Sequence, residues 1–568
     1  MSIGSIWRKL RAVIAPAVLA VALTSCGGGG GEAPGTTSPP PTAISISDAE
    51  AGRFLTQTTF GATDADIATV KLLGYRAWLD QQMATTSPSH LNYLDNRLAQ
   101  LRLTTPTATL NANNFYESFW LYSATGDSQL RERMKLALSE IFVISMVDPN
   151  VDTRGAGAYY DMLGANAFGN FRTLLEQVTL HPMMGVYLTH LANQKEDPAT
   201  GRNPDENYAR EVMQLMTIGV DELNIDGTVR TSGGAPIPAY TAADISGLAK
   251  VFTGLSWYSP TPSNNTFFGR NRDPDASARS MIFYPAFHST STKTFLGVST
   301  TSDGPGDLQF ALNTIFNHPN VGPFIGRQLI KRLVTSNPSP AYVQRVATVF
   351  NNNGAGVRGD MAAVVRAILL DSEARDVSVA ASPSFGKVRE PMVRMANWMR
   401  TFGATSVSGR YLLNSTSATT SLGQSALASP SVFNFYRPGY IPPNTRLGTA
   451  GLTAPEFQIV DEVTVAGYAN TMQTAIGTGI GTSTDVRSTY ASEVAIATDA
   501  VALVNRMDRM LLYGQMSSGL RTALTDSINS IAIPAAGSTQ AQIDAALLNR
   551  ARLAVYMTMV SPEYLIQR

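Results

Sequence analysis

From Ile46 to the end of the chain, apolar residues recur every three or four positions, the spacing of helices that bury one face. "SDAEAGRFLTQTTFG" puts Ala51, Phe54 and Leu55 on one face behind a Ser47 or Asp48 cap. "DADIATVKLLGYRAWLDQQM" reads as two short helices broken at Gly74. The same spacing runs through "DSQLRERMKLALSEIFVIS", "NFRTLLEQVTLHPMMGVYLTHLAN", "DLQFALNTIFNHPNVGPFIGRQLIKRLV" and "PAYVQRVATVFNN". It continues through "GDMAAVVRAILLDSEAR", "PMVRMANWMRTFG" and the closing "DAALLNRARLAVYMTMVSPEYLIQR". Alternation of period two is scarce, and its best instance is "LNIDGTVR", where Asp226-Gly227 is a hairpin turn signal. Stretches near 258–306 and 405–455, rich in Ser, Thr, Pro and Asn, read as long surface loops. The pattern predicts a mainly α fold. It is one large multi-helix globular body over residues 46–568, with long irregular loops and at most a small β-hairpin.

The amino-terminal stretch departs from this pattern. Arg8, Lys9 and Arg11 precede the apolar run Ala12–Leu23, whose twelve residues fall short of the about 20 needed to cross a bilayer. They suit a secretory signal segment, residues 1–25. "LTSC" follows and resembles the bacterial lipobox, in which the cysteine is lipidated after cleavage; Cys26 is the sole cysteine of the chain. Behind it, residues 26–45 include "GGGGGEAPGTTSPPPT", a Gly-rich then Pro-rich tether that reaches at most roughly 60 Å. The expectation is an exported protein, anchored in the membrane by acyl chains on Cys26. Gly27, where sorting to the inner membrane favours Asp, points to the outer membrane.

Composition narrows the function classes. Lys+Arg and Asp+Glu both number 43, so no net charge draws the chain to nucleic acid. A lone cysteine removes any internal disulfide framework, and with it thiol catalysis and zinc–thiolate sites in the body. The sequence contains no H-E-x-x-H, no G-x-S-x-G, no Walker loop and no Rossmann glycine fingerprint. His90, His181, His190, His288 and His318 show no pair at ligand spacing, so no metal site is expected.

The richest polar stretch is "NPDENYAREVMQLMTIGVD", Asn203 to Asp221. Asn203 suits an N-cap, Pro204 the first helical position and Glu206 the third, while Gly219 suits a stop. Tyr208, Ala209, Val212, Met213, Leu215 and Met216 share an apolar arc. Asn207, Arg210, Glu211 and Gln214 fall opposite, with Glu206 placed to pair with Arg210. That row is either a solvated face or a working site. As a site, Glu206, Arg210 and Glu211 are the catalytic candidates, joined by His288 and Lys293 of "PAFHSTSTKTFLG"; Asn207 and Gln214 are binding candidates. Glu206 and Glu211 lie about 140° apart on a helix, so the two carboxylates cannot act as a pair without help from elsewhere. "DELNIDGTVRTSG" fails as a calcium loop because Gly233 stands where a bidentate Glu is required. Asp360 of Arg358-Gly359-Asp360 reads as a helix cap. The aromatics Phe433, Phe435, Tyr436 and Tyr440 read as a loop packed onto the core.

Taken together, "FLTQTTFGATDADIATVKLLGYRAWLDQQM", "GNFRTLLEQVTLHPMMGVYL", "NPDENYAREVMQLMTIGVD", "YTAADISGLAKVFTGLSW" and "FHSTSTKTFLG" resemble successive blocks of a bacterial family, the domain of unknown function 1800. "NHPNVGPFIGRQLIKRLVTSNPSPAYV", "FGKVREPM" and "VSPEYLIQR" match its later blocks. The resemblance spans roughly Asp48 to Arg568 and implies a predominantly helical, envelope-associated protein with no established activity or cofactor. It also implies a co-exported partner of the domain of unknown function 1501 family. Many members carry a Trp-His-Asn-His-like run after the "LRERM" block; here that place reads Leu138-Ser139-Glu140-Ile141, so no chemistry is carried over from those histidines. Two functions remain in view: a lipid-anchored binding or scaffold module acting with that partner, or an extracytoplasmic hydrolase or lyase acting on a polysaccharide or other polymer.

Overall fold

Local sequence chemistry sets the helix ends where the periodicity places them. In the computed structural model, which describes residues 45–535 and 537–568, Ser47 and Glu50 form a capping box at the Asp48–Thr58 helix. Thr63 and Asp66 do the same for Asp64–Leu73. Gly74, at φ 78°, separates that helix from Tyr75–Ala84, a backbone conformation that favours glycine. Asp360 caps Met361–Leu369 through the Ala363 N–H at 3.0 Å. The expected signal segment, residues 1–25, and residues 26–44 of the expected tether, Cys26 among them, lie outside the described residues.

Helix accounts for 53% of the described residues and strand for 6%, so the fold is mainly α. The Gln129–Ser139 helix is its axis, contacted by Asp48–Thr58, Tyr75–Ala84, Ala112–Thr125, Thr153–Asn166 and Val321–Leu333. Pro391–Thr401, buried along almost its whole length, packs on Ala112–Thr125. A second group (Glu462–Gly477, Ala500–Met507, Ser518–Ser530 and Gln540–Met559) packs together towards the carboxyl end. Strands occur only as two-stranded antiparallel ribbons among the described residues. One of them pairs Ile566 with Val388 and Gln567 with Lys387, fastening the chain's last residues to the approach of the Pro391–Thr401 helix. The turn at Asp226-Gly227 forms, with Gly227 at φ 77° and a bridge between Leu223 and Val229. No helix of the described residues is long and apolar enough to cross a membrane.

Two expectations are corrected. The 405–455 stretch is irregular but not merely superficial: Leu413, Leu422, Gln424, Ser425, Leu427 and Tyr436 are buried. Its polar backbone can enter the interior because it finds partners there, such as Met146 N–H on the Leu427 carbonyl at 2.8 Å. The second concerns the helix start in "NPDENYARE". Helix begins at Asn207, and Asn203 does not cap it. Asp205 accepts the Asn207 N–H at 2.8 Å, and Asn193 grips Asp205 from both sides: its carboxamide oxygen accepts the Asp205 N–H at 2.9 Å and its amide donates to the Asp205 carbonyl at 3.1 Å. A long-range side chain thus holds residues that a local cap would otherwise have wound into the helix.

Candidate functional site

The Asn207–Gln214 helix lays Tyr208, Ala209, Val212 and Met213 into the core. Tyr208 stacks on His190 at 3.9 Å between centroids, and its hydroxyl meets Thr179 Oγ1 at 2.7 Å. On the outer side Asn207 and Arg210 are exposed, Gln214 is half-buried, and Arg210 pairs with Glu206 at 3.3 Å. Glu206 also accepts from Ser246 of the neighbouring Ala242–Val251 helix. Glu211 departs from the expected row. It is buried, its Oε2 has no hydrogen-bond partner, and burial pushes its carboxyl up against the opposing pull of Arg210. The nearby Tyr240 hydroxyl is likewise buried and unpartnered; burial, reinforced by the Glu211 charge, pushes it up to about 12.

His288 and Lys293 go elsewhere. His288 Nε2 lies 2.9 Å and Lys293 Nζ 2.7 Å from the same oxygen, Asp307 Oδ2. Thr300 Oγ1 and the Ser302 N–H close on Asp307 Oδ1 at 2.7 and 3.0 Å, and His288 Nδ1 sits 2.7 Å from the Thr253 carbonyl. Burial raises the Asp307 carboxyl, but Lys293, His288 and Thr300 outweigh it and hold the group below its ordinary range. Gly247 makes this arrangement possible. A Cβ there would stand 1.7 Å from the Thr294 carbonyl, so only glycine lets the Lys293–Phe295 strand lie on the Ala242–Val251 helix. Every side-chain hydrogen bond of His288 and Lys293 stays within Thr253, Ser291 and Asp307, and none reaches the Asn207–Gln214 helix. The five expected catalytic residues therefore fall into two places: Glu206 and Arg210 at the surface with Glu211 buried beneath them, and His288 with Lys293 in the sealed network of Asp307.

A third place, which sequence reasoning missed, lies where the Gln129–Ser139 helix ends. Glu140, Glu390 and Glu456 are buried there with Lys387 and Arg332. Lys387 Nζ is 3.0 Å from Glu456 and 3.6 Å from Glu390, and donates to the Arg332 carbonyl at 2.9 Å. Arg332 lies 3.4 Å from Glu140 and donates to its backbone carbonyl at 2.8 Å. Gln424 donates to Glu390 at 2.8 Å and the Tyr436 hydroxyl lies 3.3 Å from Glu140. Burial, then the adjacent Glu390 charge, drives the Glu140 carboxyl well above its ordinary range. Glu390 goes the other way: Lys387 and the hydrogen bond from Glu140 overcome burial and hold it ionised. Neither Glu140 Oε1 nor Glu390 Oε1 receives a donor from the rest of the protein. A proton on Glu140, donated to Glu390, satisfies the pair. A cavity of about 10 Å³ adjoins it, lined by Ser139, Glu140, Ser425, Ser429 and Asn434, with room for about one water.

The sequence carried a signal for charge buried along the preceding helix, though none for the cluster itself. Within "LRERMKL" the charges point to several sides of one helix, so no single wet face can take them all. Among the described residues no group of three or more His, Cys, Asp or Glu is placed to hold a metal ion.

Fold and sites define a large mainly α protein with several networks of buried charge. The chain belongs to the family described as Protein of unknown function (DUF1800), whose model matches residues 53–566. No curated protein and no solved structure matches it.

Proposed function

We propose that the protein is a lipid-anchored binding or scaffold module of the cell envelope. On this reading it is exported by residues 1–25, tethered through Cys26 and acts with a co-exported partner of the domain of unknown function 1501 family. One observation carries the module reading: the residues expected to catalyse do not meet. His288 and Lys293 are held by Asp307 in a closed network, while Glu206 and Arg210 satisfy each other at the surface. An active site needs such groups converging on space for a substrate. The test is a screen of polysaccharides and esters with the full-length protein in detergent, wild type beside Glu211→Ala. The expected result is no turnover by either; turnover abolished in Glu211→Ala would overturn the reading. The anchor has its own test: Cys26→Ser should move the protein from the membrane to the soluble envelope fraction.

The hydrolase or lyase alternative finds its best support at Glu140 and Glu390, a protonated and an ionised carboxyl side by side. Environments that push two titratable groups apart are the usual preparation for acid–base work. Against it, about 10 Å³ of adjoining space admits no sugar ring. Polymer cleavage lost in Glu140→Gln and kept in Glu211→Ala would favour this alternative.

A further inference from the structure

Arg389 is 4% exposed, and its Nε and Nη1 have no hydrogen-bond partner. It follows the Lys387–Val388 strand, and its own N–H is tied to the Leu565 carbonyl at 2.8 Å. Its guanidinium lies over the Tyr564 ring at 4.5 Å and nearer the Tyr513 ring than 6 Å, at 5.8 Å. The aromatic faces stabilise the cation but accept none of its N–H groups in the plane. The neighbouring buried cations differ. Lys387 has Glu456 and Glu390, and Arg394 donates to the Arg389 carbonyl at 2.6 Å. A buried guanidinium without a counter-ion is costly, and an anion held in an adjoining cavity would offset that cost.

The space for one is present. Arg389 lines a cavity of about 390 Å³ with Tyr513, Gln515, Ser517, Glu563 and Arg568. The Tyr513 hydroxyl is also buried and unpartnered. Glu563, the carboxylate in the wall, is already engaged by the Ser517 N–H at 2.9 Å and by the Ser517 hydroxyl. Arg568 is exposed at the rim and adds a second guanidinium.

We propose that this cavity binds an oxyanion group, a carboxylate or phosphate carried on a small ligand, with Arg389 as the buried anchor. Tyr513 and Gln515 supply further donors, and Arg568 draws the anion in from the rim. A planar guanidinium with unused N–H groups suits the paired oxygens of such a group better than a single halide ion. The site gives the binding-module reading its ligand class and rests on that reading. Capture of the co-exported partner is measured separately, by pull-down with the same full-length protein, so the two can fail independently.

The experiment is isothermal titration calorimetry on the full-length protein in detergent. The probes are inorganic phosphate, glycerol 3-phosphate and glucuronate, with chloride at matched ionic strength as the control. Vesicles of phosphatidylglycerol, compared with phosphatidylcholine vesicles, form a second arm that separates a lipid headgroup from a free anion. At least one oxyanion should bind and chloride should not. Binding should weaken about tenfold in Arg568→Gln and vanish in Arg389→Gln. Should Arg389→Gln fail to fold, Tyr513→Phe, which keeps the ring, serves in its place and should weaken binding several-fold. Equal heats for wild type, Arg568→Gln and Tyr513→Phe would overturn the proposal. So would the absence of binding by every oxyanion while a co-exported partner is still captured.

Discussion

The Asn207–Gln214 helix and the Gln129–Ser139 helix are both studded with charge and dispose of it in opposite ways. In the first, apolar residues take one side, and Arg210 meets Glu206 in water. In the second, only Arg131 escapes full burial. Glu132 meets Lys135 at 3.0 Å, Arg133 reaches the Arg332 carbonyl at 3.3 Å, and Glu140 at the end meets Glu390 and Arg332. A charge at the surface is solvated whichever neighbour it has. Inside, it is costly unless a partner is supplied, from its own helix or from a distant segment. The polar row that looks most like a site in the sequence is thus the energetically cheap one, and the demanding chemistry sits in a helix that reads as ordinary core.

That contrast can be broken most severely at Lys387. Lys387→Met leaves Glu390 and Glu456 buried without their shared cation and should destabilise the fold by about 3–5 kcal/mol in urea unfolding. A loss below about 1 kcal/mol would show that water reaches the cluster. Next in size is the asymmetry between the paired carboxyls. Glu390→Gln removes an ionised group beside Lys387 and should cost about 2–3 kcal/mol, whereas Glu140→Gln replaces a protonated carboxyl with a neutral isostere and should cost under about 1 kcal/mol at pH 7. Equal costs would refute the assignment of the proton to Glu140.

Histidines beneath the surface helix sharpen the comparison through pH. Burial holds His181 down at about 3 and His190 at about 4, both below the ordinary 6.5. The unfolded chain therefore takes up these protons first, so the stability they contribute is complete above pH 6.5 and drains away towards pH 3. His181→Asn, which keeps an acceptor for the Met183 N–H, should flatten that acid limb by about 1.4 kcal/mol per pH unit. An unchanged slope would mean that His181 is already open to water. The smallest effect belongs to the exposed pair. Arg210→Ala should change unfolding free energy by no more than about 0.5 kcal/mol, and a larger change would give that helix a role beyond its wet face.

Much of the fold was legible. The helices at Asp48–Thr58 and Asp64–Leu73, the break at Gly74 and the Asp360 cap follow from residues within one or two turns of each other. The Asn203 cap was misread because Asn193, ten residues earlier, holds Asp205 and delays the helix to Asn207. Glu211 was placed with the solvated row on angle alone, yet it is buried and leaves Oε2 unpartnered. The cluster around Glu140 was not legible as a site at all. Its members come from "LSEI" at the end of the Gln129–Ser139 helix, from "GRQLIKRLV" and "FGKVREPM", from the 405–455 region and from Glu456 just after it, and no local spacing connects them.

The chain's order of apolar and polar residues determined where helices form, which side most of them bury and which family they build, because those choices depend on neighbours three or four positions away. Tertiary structure alone decided which charges are hidden, that Glu140 shares its proton with Glu390, that Lys293 and His288 close on Asp307, and that Arg389 is left without a counter-ion. The reason is physical. A charge's protonation and cost depend on the water removed and the partners supplied around it, and those arrive from other segments, as far as hundreds of residues away.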